Sequence, residues 1–574
     1  MKFKGIAASP GISIGRAYLI SEESYCVIKR SISSDQVKKE INRFKKAIYK
    51  VDAEFRQQRE KVTHEMGKTY ARLFNAYGLI LKDPLFYKDT IRIISDDKVN
   101  VEYALQSVID RITKTFSMLD DEYMRDRVRD VQDVGNRVMR VLLGQKNVSM
   151  RDIQSRVVLV AHALHPSDAV EMKKENVIGF VTDVGGKTSH IVIMAESLEI
   201  PAVVGLKRIA RHISPGDLLI VDGNAGIVHV NPDPETVRTY RKKKRKQEEH
   251  RKELVKLRDR PAVTRCGTTI ELGVNIETSE EASAVKQYGV SGIGLYRTEY
   301  LYINRKTLPS EEEIYENIKK ASEVCCSSMV VRTVDLGADK MPEQLGIKPE
   351  GNSFMGMRGI RLCLAYPALF KTQLRAVLRA SAQRNLSIMY PMITGLKEIR
   401  SANHILKEVR EELDMSGVEY DKGIKVGVMI ETPAAVMDID RIASEIDFMS
   451  IGTNDLIQYS LAVDRVSESV SHLYNPADIA ILRLLERTIQ GALNAGKQVS
   501  MCGEMASDTL YTELLIGMGL RSFSMSGIAV PDVKQVIINT TLEKCKALAD
   551  EVFTAGDTSE AAETLKRNKG SLPG

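Results

Sequence analysis

From Ala262 onward, short apolar runs rich in β-branched residues alternate with helical stretches. The runs are 270–276 (IELGVNI), 292–297 (GIGLYR), 329–334 (MVVRTV), 386–391 (LSIMYP), 425–431 (KVGVMIE), 447–452 (DFMSIG), 498–503 (QVSMCG) and 522–525 (SFSM). Such alternation predicts parallel strands joined by crossover helices. Eight repeats within about 300 residues predict a closed (β/α)8 barrel. A doubly wound open sheet is the competing architecture.

The chain has 574 residues, too many for one core. Upstream of the barrel the pattern changes three times. Residues 1–20 alternate as a β-like start after a Pro-Gly turn, in GISIGRAYLI. From Ser34 to Gly144 apolar positions such as Ile41, Phe44, Ile48, Val51 and Phe55 fall three or four apart. That spacing, punctuated by Gly78 and Asp83-Pro84, predicts an antiparallel helical bundle. Residues 157–231 return to strand-like runs (VVLVA, VIGFVTD, AVVG, DLLIVDG, GIVHVNP). The expected organisation is an α/β multidomain chain. Residues 1–20 and 148–231 form an α/β unit, 21–147 an inserted helical domain, 232–260 a linker helix and 261–574 the barrel.

Composition excludes several classes. Charged residues are 28% and hydrophobic ones 43%, an ordinary soluble balance, and the net charge of +6 is small. The run RKKKRKQEEHRKELVKLRDR suggests a basic nucleic-acid-binding helix, but no aromatic residues are interleaved for stacking, and intermixed Glu favours a solvated linker. No nucleic acid is expected. Seven scattered cysteines without a C-x-x-C pair read as free thiols of a reducing compartment. The N-terminus lacks a signal-peptide apolar run and no stretch is long enough to span a bilayer, so a cytoplasmic protein without membrane insertion is expected.

The barrel expectation carries a demand: reactive residues should sit where strands end. Arg297 and Arg332 close the second and third runs, and Arg358 follows in GNSFMGMR. Glu431 ends the fifth run, Asn454 and Asp455 follow the sixth, Arg465 lies in AVDR, and Cys502 ends the seventh. Guanidinium groups grip phosphate and carboxylate through paired hydrogen bonds. Two carboxylates suit Mg2+, which takes few protein oxygens. Each charge alone could be a structural ion pair; six at strand ends are costly to assign to stability.

A second site lies in GGKTSHIVIMAESLEIPAVVG, Gly185 to Gly205. Two glycines permit a tight turn, and His190 follows Thr188 and Ser189 at the start of an apolar run. A helix N-terminus favours anions, and neutral imidazole can hold a phosphoryl group covalently. A lone histidine is more often a satisfied polar residue, and spacing alone leaves both readings open.

This stretch resembles the active-histidine signature of enzyme I of the bacterial phosphoenolpyruvate-dependent sugar phosphotransferase system. DFMSIGTNDLIQYSLAVDR resembles the same family's second signature. Further likenesses run the whole length, including ASPGISIGRA, GIGLYRTEYLY, VVRTVDLGADK, GVMIETPAA, MCGEMA and FSMSGIAVP. The resemblance implies that phosphoenolpyruvate phosphorylates His190 and leaves as pyruvate, with Cys502 supplying the proton. It implies Mg2+ on Glu431 and Asp455. Arg297 and Arg332 would contact the phosphoryl group, and Asn454, Arg358 and Arg465 the rest of the substrate. The implied acceptor is the histidine-containing phosphocarrier protein HPr, docked on the helical insertion, and the implied assembly is a homodimer through the barrel.

Some positions depart from the family pattern. Glu196 stands where arginine is usual, Ile191 replaces a small residue, Ala338 a glycine and Met357 an aromatic, and NAYGLILKD replaces a Gly-His loop. These bear on rate and partner choice. Two alternatives remain at this stage. A phosphoenolpyruvate synthase or pyruvate phosphate dikinase needs an ATP-binding domain for which the chain has no room. A catalytically impaired regulatory paralogue would keep the fold and bind a carrier protein.

Overall fold

The computed structural model describes residues 1–20, 27–65, 77–117, 122–144, 153, 155–162, 176–185, 200–303, 305, 307–325, 328–337, 355–383, 385–465, 467 and 470–569. His190, Thr188, Ser189, Ile191, Glu196 and Ala338 lie outside these residues. The chain divides into two compact units, Met1–His250 and Arg251–Gly574.

In the first unit the opening 20 residues supply three strands, β1 (Lys2–Lys4), β2 (Ile6–Ser9) and β3 (Ile12–Ile20). They join β4 (Val157–Ala161), β5 (Val177–Thr182), β6 (Ala202–Val204), β7 (Leu218–Asp222) and β8 (Ile227–Val230) in one sheet of order β1-β8-β7-β3-β4-β5-β6-β2. The strands β3 to β6 run parallel, whereas β2, β7 and β8 pair antiparallel with their neighbours. Every residue of β4 is buried, which explains its unbroken Val-Val-Leu-Val-Ala run.

Between β3 and β4 the chain is helical, with helices Ser34–Glu65, Pro84–Asp96, Val101–Ser117 and Glu122–Leu142. The Asp83-Pro84 signal works as read: the Asp83 carboxylate accepts from Leu85 N, and Pro84 occupies the first turn, where its missing N–H costs nothing. Phe44, Val51 and Phe55, three of the periodic positions, are fully buried with Leu105, Val108, Val134 and Val138. Most of the basic run, residues 241–256, lies on the helix Pro234–Lys256, inside which the boundary of the two units falls.

The second unit is a closed barrel of eight parallel strands. These are β9 (Glu271–Ile276), β10 (Gly292–Arg297), β11 (Ser328–Arg332), β12 (Leu386–Tyr390), β13 (Lys425–Ile430), β14 (Phe448–Ile451), β15 (Gln498–Met501) and β16 (Ser522–Met525). Each coincides with one expected run, shifted at most two residues at an end. Closure, with β16 pairing β9, excludes the open sheet. Inside the barrel Leu295, Met389, Met429, Phe448 and Cys502 pack together. A separate and larger cluster of apolar residues, Val274, Ile293, Val331, Ile388, Val428 and Ile451 among them, packs the strands against the surrounding helices.

Candidate active site

The strand ends of the barrel place the charged residues together. Arg332 is the last residue of β11, and its guanidinium is buried. One Nη donates to Glu299 Oε1 at 2.9 Å, and the other reaches Asp335 Oδ2 at 3.1 Å and Met429 Sδ at 3.6 Å. Its Nε has no acceptor among the described residues. A buried donor left unpaired costs about 1–3 kcal/mol, so this edge of the guanidinium suits an anion.

Arg358 is paired by an isolated antiparallel bridge with Gly337, in the segment that follows β11. Its Nε donates to Asp335 Oδ1 at 2.8 Å and one Nη to Asp335 Oδ2 at 3.0 Å. The same guanidinium donates to Asp455 at 3.0 and 3.4 Å and to Tyr459 Oη at 3.3 Å. Gly359 follows with φ +58°, where a Cβ would come within 2.9 Å of Met392 Cβ and 3.2 Å of Asp335 Oδ1. The chain passes the carboxylate there only because the residue is glycine.

Glu431 directly follows β13 and is 1% exposed. Its Oε1 accepts from Met392 N at 2.5 Å, and Met392 holds a left-handed φ of +57° to aim that N–H. Beside its other oxygen stands Gly452, where a Cβ would lie 2.9 Å away. Asp455 sits in the first turn of the helix Thr453–Leu461, where a carboxylate complements the helix dipole.

Asp335, Glu431 and Asp455 are all buried, and each offers an oxygen such that the three lie within 4.8 Å of one another. Burial, and then the Asp335 and Asp455 charges, push the Glu431 carboxyl well above the usual range. Burial also disfavours the charge on Asp335, but the Arg332 and Arg358 guanidiniums outweigh it and hold that carboxyl low. An all-oxygen donor set whose like charges repel fits a hard divalent cation such as Mg2+. Asp335 is held by two arginines at 2.8–3.1 Å, whereas Asp455 meets Arg358 alone at 3.0 and 3.4 Å and Glu431 accepts from the Met392 N–H, which makes Glu431 and Asp455 the better placed ligands.

Asn454, Arg465 and Arg297 form a more exposed rim. Asn454 Nδ2 donates to Glu504 Oε1 at 2.9 Å, while Glu504 N donates back to Asn454 Oδ1 at 2.9 Å. Arg465 reaches the same Glu504 carboxylate at 3.6 Å, and Arg297 donates to Glu277 at 3.0 Å. Such exposed pairs are worth about 0–1 kcal/mol and yield readily to a stronger anion. Cys502 follows β15 and is 3% exposed, its thiol pointing to Ile451 O at 3.8 Å. Burial pushes this thiol above its ordinary range, although Ser450 and the Arg332 and Arg297 charges pull the other way.

Sequence reading missed Asp335, Glu299 and Tyr459. The signal for the first was present, an acid three residues beyond Arg332 in VVRTVDLG.

Three family models match this chain: the PEP-binding domain of PEP-utilising enzymes over residues 251–542, their N-terminal domain over 4–127 and their mobile domain over 153–226. Among relatives, a protein of Haemophilus influenzae named phosphoenolpyruvate-protein phosphotransferase is 40% identical over 98% of this chain and 98% of its own length. A Bacillus subtilis protein of the same name is 41% identical over 98% of this chain and 99% of its own. One from Listeria monocytogenes, also so named, is 41% identical over 99% of both chains.

Proposed function

The chain belongs to the PEP-utilising phosphoenolpyruvate-protein phosphotransferases, and from that premise we propose that it transfers the phosphoryl group of phosphoenolpyruvate to His190 and on to the phosphocarrier HPr. The observation that carries the reading is the buried Arg332–Asp335–Arg358–Asp455 array beside Glu431. Relatives matched over their full length and named phosphoenolpyruvate-protein phosphotransferase disfavour a non-catalytic paralogue.

Arg332 and Arg297 contact the phosphoryl group, and the unpaired Nε of Arg332 is a donor ready for one of its oxygens. Arg358, Arg465 and Asn454 orient the carboxylate and enol portion. The two rim residues leave Glu504 to do so. Glu431 and Asp455 would hold Mg2+, which when bound neutralises charge on the transferring group. A ring nitrogen of His190 forms the new bond to phosphorus as the bond from phosphorus to the enol oxygen breaks. The electron pair left on the enolate takes a proton at carbon from the Cys502 thiol, giving pyruvate, and the thiolate regains its proton from solvent. The thiol is suited to this because burial keeps it protonated at neutral pH.

HPr docking on the helical region is supported by Tyr49, Leu79 and Leu85, large apolar side chains left exposed there. Assembly as a homodimer through the barrel and a cytoplasmic location complete the reading. No helix among the described residues is long and apolar enough to cross a membrane.

The test uses the full chain with Mg2+ and phosphoenolpyruvate labelled in its phosphoryl group. Wild type takes up label and passes it to added HPr, and His190→Ala takes up none. Label on His190→Ala, or none on wild type, overturns the reading.

A further inference from the structure

The backbone that follows β11 is gripped from one side by two consecutive residues and a buried amide. Thr298 Oγ1 donates to Arg332 O at 3.0 Å and accepts from Gln373 Nε2 at 2.9 Å, and Gln373 Oε1 accepts from Val334 N at 3.0 Å. Thr298 and Gln373 are both fully buried. Their neighbour Glu299 completes the grip in a different way. Its single oxygen Oε1 accepts from the Arg332 guanidinium at 2.9 Å and from Asp335 N at 3.0 Å.

Glu299 thus holds the side chain of one site residue and the backbone of another through one atom. Thr298 and Gln373 fix only main chain, so they determine where Arg332 begins. Glu299 determines where its guanidinium ends. Glu299, itself 9% exposed, grips one Nη, Asp335 takes the other, and Nε is left without an acceptor among the described residues.

Stability is a poor explanation for this acid. A buried ion pair commonly contributes no more than an apolar pair of the same volume, since desolvating both charges offsets their attraction. What such a pair supplies is geometry. Misplacing a charge-stabilising group by about 1 Å costs on the order of 100-fold in rate.

We propose that Glu299 is a positioning residue for phosphoryl transfer, acting through Arg332 by fixing the plane in which that guanidinium meets the phosphoryl group. This rests on the reading that Arg332 contacts phosphoenolpyruvate. Glu299 itself touches no substrate.

The experiment is single-turnover pyruvate release by the full chain with Mg2+ over a range of phosphoenolpyruvate concentrations. It gives a limiting rate and a half-saturating concentration for wild type, Glu299→Ala, Glu299→Gln, Arg332→Lys and the double variants. Glu299→Ala lowers the limiting rate about 30- to 100-fold and moves half-saturation less than about 3-fold. Glu299→Gln, which keeps an acceptor at the same reach, recovers most of the rate. In the Arg332→Lys background, Glu299→Ala costs less than about 3-fold more, because the group it positions is already gone. A merely structural residue gives multiplicative losses in that cycle, and that result overturns the proposal. So does a wild-type rate for Glu299→Ala, or a rise in half-saturation alone. If Glu299→Ala fails to fold, Glu299→Asp, one methylene too short to make both bonds, takes its place in the cycle with the same outcomes. If Arg332→Lys behaves as wild type, the substrate reading of Arg332 fails and takes the proposal with it. An impaired Arg332→Lys with multiplicative losses sinks the proposal alone.

Discussion

Asp335 meets Arg358 side-on, Oδ1 to Nε at 2.8 Å and Oδ2 to Nη at 3.0 Å, while the same Oδ2 lies 3.1 Å from a nitrogen of Arg332. One carboxylate therefore sets the spacing of two guanidiniums, each of which keeps a further edge for other partners. The arrangement fixes two guanidinium groups at a set spacing, the geometry in which paired hydrogen bonds meet a phosphate or carboxylate.

Removing that carboxylate leaves two buried arginines short of a counter-charge. Asp335→Ala is expected to cost about 3–5 kcal/mol of stability, the usual loss when one member of a buried pair is deleted. The unfolding midpoint of the barrel unit falls in urea, with unchanged slope. A midpoint equal to wild type contradicts the role given to Asp335.

Asp455→Ala abolishes uptake of the phosphoryl group and leaves the far-ultraviolet dichroism intact. Chelation of divalent cations stops uptake by wild type, and added Mg2+ restores it. Activity of Asp455→Ala with an unchanged Mg2+ requirement removes this residue from the metal site.

Cys502→Ala loses pyruvate formation more than it loses substrate affinity. Burial raises the thiol, so the donor form persists through neutral pH and is lost only as pH rises through the raised value. Lowering the pH leaves it protonated. Wild type should therefore show an alkaline fall in pyruvate release, and Cys502→Ala should show a low rate without that limb. An affinity loss alone, with rate preserved, rules out the proton-donor role.

Cys266 should be the fastest of the five described cysteines to alkylate. A hydrogen bond from Thr264, helped by Leu542 N, brings its exposed thiol down to about 7, while Cys325, Cys363, Cys502 and Cys545 are buried. Its modification rate rises with pH through about 7 as the thiolate forms. Peptide mapping after brief iodoacetamide treatment checks the order; earlier labelling of Cys502 contradicts its burial.

The barrel was legible because eight strands of one handed architecture repeat the same local pattern, and Arg297, Arg332, Glu431 and Cys502 stand where those patterns stop. Periodicity reports what each residue does for its own strand. It carries no information on which distant side chain a charge will meet. Arg358 finds Asp335 across 23 residues and Asp455 across 97, and Arg332 finds Glu299 across 33, so Glu299 became visible only once the strands had closed, and Asp335, though near Arg332 in sequence, only then as the partner of Arg358. The left-handed backbone of Met392, which aims an N–H at Glu431, has no sequence signal, because methionine has no preference for that conformation. In the first unit the long helices announced themselves by spacing, and the strands of the opening 20 residues did so only as one alternating run.

Brief exposure of the full chain to phosphoenolpyruvate and Mg2+, followed by intact-mass and peptide mass spectrometry at alkaline pH, tests the central claim most directly. The account predicts a gain of one phosphoryl group, lost on acidification and mapping to the peptide that carries His190. An unmodified His190 peptide under conditions that release pyruvate, or an acid-stable adduct elsewhere, contradicts it.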